Sequence, residues 1–470
     1  MERKRLFKLG LILCSLSLIS GIMIPTQGIK VESSTTPIWE KAYESPNEDV
    51  PVQVLAMADG YILTGSQNRF TGDQTPWVIK VDLEGNELWN KSYTPTLNTQ
   101  GHIRSIDEAP DGGFILTGFA FEDTTFSWDL WILKINENGT EEWNQTFNGV
   151  LDGPDYGAQI LSAPDGGYLV SGATQAVPGL DWNTDYWLIK IDASGNEKWN
   201  KTYHRVGSDQ GTGLVALSDG NYLLSGLSKQ TSSLNSPFSI WVIKIDENGT
   251  IIWDEAYEQG SSWYGAWENN IIETIDGGFL LVCYPFGGVY YIGTSYWIIK
   301  CDLYGNIEWD TTFNGDYYDT PTVCLQSLTG DYYIGGSYNS PIGNVEKGDM
   351  CIVRLNNTGD IQGYITYGNL SRGERIVDMV LVEGSNSSEA IVALAYVENG
   401  GTSSEYLDFW LGNFDKVNEI YNPPNLEETT STTSEGGITT TTEAGTPFAG
   451  LFILYLAMSV GVLYQRRRRR

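Results

Sequence analysis

Trp77-Val-Ile-Lys-Val-Asp82 returns as Trp131-Ile-Leu-Lys-Ile-Asn136, Trp187-Leu-Ile-Lys-Ile-Asp192, Trp241-Val-Ile-Lys-Ile-Asp246 and Trp297-Ile-Ile-Lys-Cys-Asp302. Two weaker copies follow, Cys351-Ile-Val-Arg-Leu-Asn356 and Trp410-Leu-Gly-Asn-Phe-Asp415. The seven copies are spaced 54, 56, 54, 56, 54 and 59 residues apart. A fixed period of that length marks a repeat architecture, in which one unit buries its apolar faces only against its neighbours.

Each unit holds four short strand signals, clearest around the second copy. Ile103-Arg-Ser-Ile-Asp-Glu108 is a half-apolar alternating run. Asp111-Gly-Gly113 is a tight-turn signal, because Asp and Gly accept the positive φ that hairpin turns need. Phe114-Ile-Leu-Thr-Gly118 returns, and a longer connection leads to residues 131–136. Asn136-Glu-Asn-Gly139 turns again before Glu141-Glu-Trp-Asn-Gln-Thr-Phe147. These runs are rich in β-branched and aromatic residues and too short for helices. No amphipathic helix is expected between residues 38 and 421. Seven such units set radially predict an all-β chain, a seven-bladed β-propeller of four-stranded antiparallel blades.

The turn Asp82-Leu-Glu-Gly-Asn86 followed by Trp89 resembles the Asp…Gly…Trp signature of quinoprotein-type propeller repeats, one residue shorter. The chain more closely resembles secreted prokaryotic, archaeal-type propellers built on Asp-Gly-Gly-Tyr…Trp-x-Ile-Lys-x-Asp-x-x-Gly-Asn-x-x-Trp repeats, over most of residues 38–421. That resemblance implies architecture and not activity. A quinone enzyme is disfavoured by seven units in place of eight and by the lack of vicinal cysteines. Residues 38–43, Ile38-Trp-Glu-Lys-Ala-Tyr43, match the fourth-strand pattern of Leu88-Trp-Asn-Lys-Ser-Tyr93, so they are expected to supply the outer strand of the last blade.

The two ends give an address. Residues 1–28 read as a secretory signal peptide, with a basic start and an apolar run from Leu9 to Ile24. Residues 422–447 form a Thr-rich stalk that cannot bury a core and is expected to stay extended. Residues 448–464 are an uncharged, apolar stretch read as a single transmembrane helix, and residues 465–470 as an arginine-rich cytoplasmic tail. The order of stalk, Pro447-Phe448, apolar run and arginines also resembles the sorting tails of archaeal and some bacterial surface proteins. Both readings put the propeller outside the cell, single-pass at the cell membrane.

The formal net charge of −31 excludes a phosphate-backbone binder, so no nucleic-acid partner is expected. It favours solubility in salt and affinity for cations. Eight Asn-x-Ser/Thr sequons, at Asn90, Asn138, Asn144, Asn200, Asn248, Asn356, Asn369 and Asn386, predict a glycoprotein if the chain is exported. Cys283, Cys301, Cys324 and Cys351 lack metal-ligand spacing. Buried thiols are the leading expectation, and export leaves one or two disulfides open.

No catalytic residue is singled out. His102 and His204 are isolated in sequence and sit in no nucleophile motif, which argues against a Ser-His-Asp triad or a histidine metal centre. Twelve tryptophans keep register and are expected to pack between blades. Trp128, Trp182, Trp263 and Trp267 do not, and fall with Tyr264, Tyr290 and Tyr291 in the longer connections. In a four-stranded meander those connections share one face, where binding concentrates. Aromatic rings beside carboxylates and amides suit the C–H faces and hydroxyls of sugars. Packing of the connections themselves is the competing structural role. Asp181, Asn183 and Asp185 alternate like calcium ligands, although Tyr186 stands where an EF-hand has Gly. Calcium is therefore the only cofactor considered. Asp185, Asp129, Asp349 and Asp408 otherwise read as caps before third strands.

The expected role is binding or scaffolding at the envelope, with extracellular carbohydrate or a surface protein as partner. The alternatives are a secreted enzyme acting on polysaccharide, hydrolase or lyase, and a structural envelope component.

Overall fold

The computed structural model describes residues 37–414, apart from 46–48, 68–73, 96–99, 123–126, 152, 178–182, 232–237, 259–262, 287–294, 315–317, 341–347, 369–372, 385–388 and 400–405. The signal, stalk, apolar and arginine segments read from the sequence lie outside these residues. Among the described residues no helix is long and apolar enough to cross a membrane.

Seven four-stranded antiparallel sheets follow one another along the chain. In blade 2 the strands are Gln100–Glu108, Phe114–Glu122, Ser127–Ile135 and Glu141–Phe147, hydrogen-bonded in that order. The first strands of neighbouring blades touch one another in a closed circuit, so they form the inner wall. Fourth strands lie at the outer edge.

This layering explains the sequence pattern. Second and third strands are covered on both faces by adjacent blades, as in Tyr168–Gln175 and Thr184–Ile191, so they read as nearly continuous apolar runs. Outer strands such as Glu197–Tyr203 alternate charged and aromatic residues because one face meets water. The third-strand tryptophans Trp77, Trp131, Trp187, Trp241, Trp297 and Trp410 are buried in clusters that span two blades. The indole N–H groups of Trp241 and Trp297 donate across the hairpin to Asp254 and Asp310 at 2.9 and 3.0 Å.

The turn between third and fourth strands couples one blade to the next. Asp82 Oδ1 accepts the N–H groups of Glu84 and Asn86, and Gly85 closes the turn at φ 77°. That glycine lies under Trp39 of the preceding blade, where an added Cβ would sit 2.8 Å from the indole. Gly139 lies under Trp89 in the same way, also at 2.8 Å. Beside each indole the fourth-strand tyrosine reaches over. Tyr43, Tyr93, Tyr203 and Tyr257 donate to the carbonyls of Gly85, Gly139, Gly249 and Gly305 at 2.7–2.8 Å.

The recurring third-strand cations are ion-paired inside the blades. Lys134, Lys190, Lys244 and Lys300 are buried, and each meets the aspartate of its own blade's first hairpin (Asp111, Asp165, Asp219, Asp276) at 2.7–3.0 Å. Third strands are interior, so the ammonium must be paired on the way out. Lys190 and Lys198 together hold the Asp165 carboxyl well below the usual carboxylate range. Cys283, Cys301, Cys324 and Cys351 are buried free thiols, and no disulfide joins them.

The ring closes on Trp39–Tyr43, which pairs antiparallel with Tyr406–Phe414 and completes the seventh sheet. Glu40 fixes this joint, accepting the Trp410 indole N–H at 3.0 Å and the Tyr367 hydroxyl of blade 6 at 2.7 Å. On the inner wall, Asp378 of blade 7 accepts the Val54 amide of blade 1 at 2.9 Å. Its carboxyl is enclosed by protein, although part of the residue remains accessible, and burial pushes its pKa up to about 7 despite the two backbone amides it accepts.

Two outcomes follow for the joint. Deleting residues 37–43 is expected to lower the melting temperature by more than about 5 °C, because it strands the Tyr406–Phe414 edge and exposes the Trp410 cluster; calorimetry of the full chain reads this. For Asp378 the folded pKa lies above the unfolded value of about 3.9. Its stabilising contribution is full below about pH 4 and is lost as pH rises through about 7. The melting temperature of Asp378→Asn relative to wild type should therefore climb between pH 4.5 and 8, and a pH-independent difference would contradict the assignment.

Candidate functional site

Antiparallel strands put successive connections on opposite faces. On one face the hairpins span two to five residues, and on the other the connections span four to nine. The longer set includes every passage between blades.

Those passages share a lock. Asp49, Asp155 and Asp209 are buried where the chain enters a first strand. Their Oδ2 atoms accept the backbone N–H of Ser45, Gly149 and Arg205, in each case two residues past the fourth-strand aromatic. Each lies ten residues before the turn aspartate of its blade (Asp59, Asp165, Asp219), a spacing that is visible in the sequence and does not disclose this task. In blade 3, Asp155 Oδ1 also accepts the Gln175 amide at 3.1 Å, so both oxygens are occupied. Burial still pushes its carboxyl upward.

Blade 4 departs from this. The amide equivalent to Gln175 is that of Lys229, and it donates to the Ser208 carbonyl instead. Asp209 Oδ1 is left buried without a hydrogen bond of ordinary geometry, although the Ser228 hydroxyl acts on the carboxylate. Burial again raises the Asp209 pKa, and the like charge of Asp185 adds to it. Asp185, on the third strand of blade 3, is raised by desolvation and lowered by His204. His204 stands between them, its Nδ1 3.0 Å from Asp185 and 3.4 Å from Asp209. These three side chains bring one ligand atom each within 4.8 Å of the others.

Among the residues proposed from sequence, Asp185 thus belongs to a cluster, but with His204 and Asp209. Asp181 lies outside the described residues. The Asn183 carbonyl accepts the Ala176 amide, closing the connection between second and third strands. Asp185 and Asp129 are not caps before third strands but members of them, because those strands run further towards the long-connection face than the apolar pattern suggests. His204, isolated in sequence, joins this cluster; the usable signal is its register, one residue after Tyr203, where blades 2 and 6 carry Asn148 and Gly368.

Trp128 is also on a strand and not in a connection, since Phe121 and Glu122 extend the pairing to reach it. It stacks on Phe119 at 5.0 Å, and Phe119 stacks on His102 at 5.4 Å. The Arg104 guanidinium lies over Phe119 and Tyr156 at 5.6 and 4.9 Å. One face of Trp128 therefore packs within blade 2. Trp263, Tyr264 and Trp267 likewise belong to a first strand, Trp263–Glu273, which breaks register between Gly265 and Asn270. Trp182, Tyr290 and Tyr291 lie outside the described residues. Of the sequons, Asn90, Asn138, Asn200 and Asn248 are exposed, and Asn144 and Asn356 are partly covered. Asn369 and Asn386 lie outside the described residues.

No protein-family model and no curated protein matches the chain. Solved structures are similar at the level of a β-propeller. Sqt1 from Chaetomium thermophilum is 10% identical, with 78% of this chain and 85% of that chain covered and a TM-score of 0.45. The β-propeller domain of the Trilobed protease from Pyrococcus furiosus is 12% identical, with 81% and 95% covered and a TM-score of 0.41. An endo-arabinase from Bacteroides thetaiotaomicron is 11% identical, with 60% and 97% covered and a TM-score of 0.34. Nothing about activity is carried over from likeness this distant.

The two acid sites predict unequal responses to substitution. Asp155→Ala leaves the Gly149 and Gln175 amides buried without acceptors and should cost about 2–3 kcal/mol in denaturant unfolding. Asp185→Ala removes a carboxylate that repels Asp209 and should cost less than about 1 kcal/mol.

Proposed function

We propose that the propeller is displayed outside the cell, tethered through its C-terminal apolar segment, and binds carbohydrate or a surface protein through the face of the long connections. The segregation of connections carries this reading. A rigid ring presents its variable segments on one side, and the other side is restricted to short hairpins. The chemistry of that side agrees with it. Aromatic rings supply flat apolar area at low entropic cost, and Arg104, Asp185 and His204 add polar groups near them. The acidic net charge disfavours polyanions as ligands.

The test is binding of full-length protein to envelope-polysaccharide and glycan arrays. Trp128→Ala combined with Trp263→Ala should weaken binding at least about tenfold, while Tyr304→Ala on the hairpin face leaves it unchanged. Loss of binding on Tyr304→Ala alone, or no binding to any array or envelope fraction, would overturn the proposal.

A further inference from the structure

We propose that Asp185, His204 and Asp209 form a divalent transition-metal site that fastens blade 3 to blade 4. The inference stands apart from the binding role proposed above. Ligand bonds of about 2.0–2.2 Å around one ion set neighbouring donor atoms about 3.0–3.5 Å apart. The Nδ1 of His204 lies 3.0 Å from one carboxylate and 3.4 Å from the other, within that spacing. An ion between them replaces the contact of two like charges with one cation, and the repulsion between Asp185 and Asp209 becomes attraction.

The repeat supplies an internal comparison. At the joint of blades 2 and 3 the corresponding Asp155 has both oxygens filled by amides, and Asn148 stands in place of the histidine. At the joint of blades 3 and 4 the second amide has been withdrawn to Ser208. Asp209 Oδ1 is left buried without a hydrogen bond, which is costly unless something else answers it, and Oδ2, the oxygen 3.4 Å from His204, already accepts the Arg205 amide, so an ion here would have to be gripped by the carboxylate as a whole. Paired acids with an open oxygen recur at other joints, as at Asp129 beside Asp155 and Asp349 near Glu374, but among the described residues only the joint of blades 3 and 4 adds a histidine after its fourth strand. His204 is half-exposed, which leaves a path for the ion from solvent.

Donor type selects the ion. One imidazole and two carboxylates suit borderline first-row ions such as zinc, whereas calcium prefers six to eight oxygens. Three protein ligands leave a fourth position open towards the long-connection face, for water or a ligand group.

The test uses full-length protein stripped with chelator, then dialysed against zinc. Wild type should retain one zinc per chain against millimolar calcium and melt several degrees higher with zinc than without. His204→Ala and His204→Gln should bind it at least tenfold more weakly and lose the thermal shift, while the metal-free melting temperature reports whether each variant folds. His102→Ala should behave as wild type. Equal zinc retention by wild type and both His204 variants would mean that the acidic surface binds the ion, and the proposal fails. It fails equally if millimolar calcium displaces the zinc, or if the stripped wild type takes up none.

Discussion

Neighbouring blades are held together at their outer strands, through an indole packed on a glycine. Among the described residues the fourth-strand tryptophan of one blade covers the turn glycine of the next, and at Tyr43, Tyr93, Tyr203 and Tyr257 the residue four positions later donates to the same glycine's carbonyl. Only a residue without a side chain permits that approach, and only a turn with positive φ presents it. The contact is made at the periphery, where the apolar clusters shared by two blades would otherwise open to water.

Polar groups carry the rest of the joint. Lysines that emerge from the interior meet the first-hairpin aspartates, and aspartates at the strand entries hold the passages between blades by their amides. An acidic protein would be expected to use its carboxylates on the surface alone. Here a recurring subset, Asp49, Asp155 and Asp209, is internal, and each accepts an amide N–H that would otherwise be left unpaired.

The fold was legible because its signals are redundant. Any one Trp-x-Ile-Lys run is ambiguous, but five in register, each followed by an Asp/Asn-x-x-Gly turn and a second tryptophan, leave few alternatives. The site was less legible for physical reasons. Strand pairing runs on past the apolar pattern wherever backbone partners continue, so Trp128 and Trp263 were placed in connections when they lie on strands. The Asp185, His204 and Asp209 cluster draws on two blades and depends on one amide, that of Lys229, choosing a carbonyl over a carboxylate. Nothing in the residue types announces that choice. The aspartates stood out by spacing, yet spacing alone could not separate a saturated lock at Asp155 from an open one at Asp209.

The strand that completes the seventh blade precedes all the other described strands along the chain. Trp39–Tyr43 has no partner until Tyr406–Phe414 exists, more than three hundred residues later. A growing chain is therefore an open arc with two raw edges, and it cannot lock as it is synthesised. Contacts of such long sequence separation form slowly and last. For most of its synthesis the protein must keep one short, amphipathic segment from pairing with any other edge that passes, and the charged Glu40 and Lys41 in its middle suit that waiting.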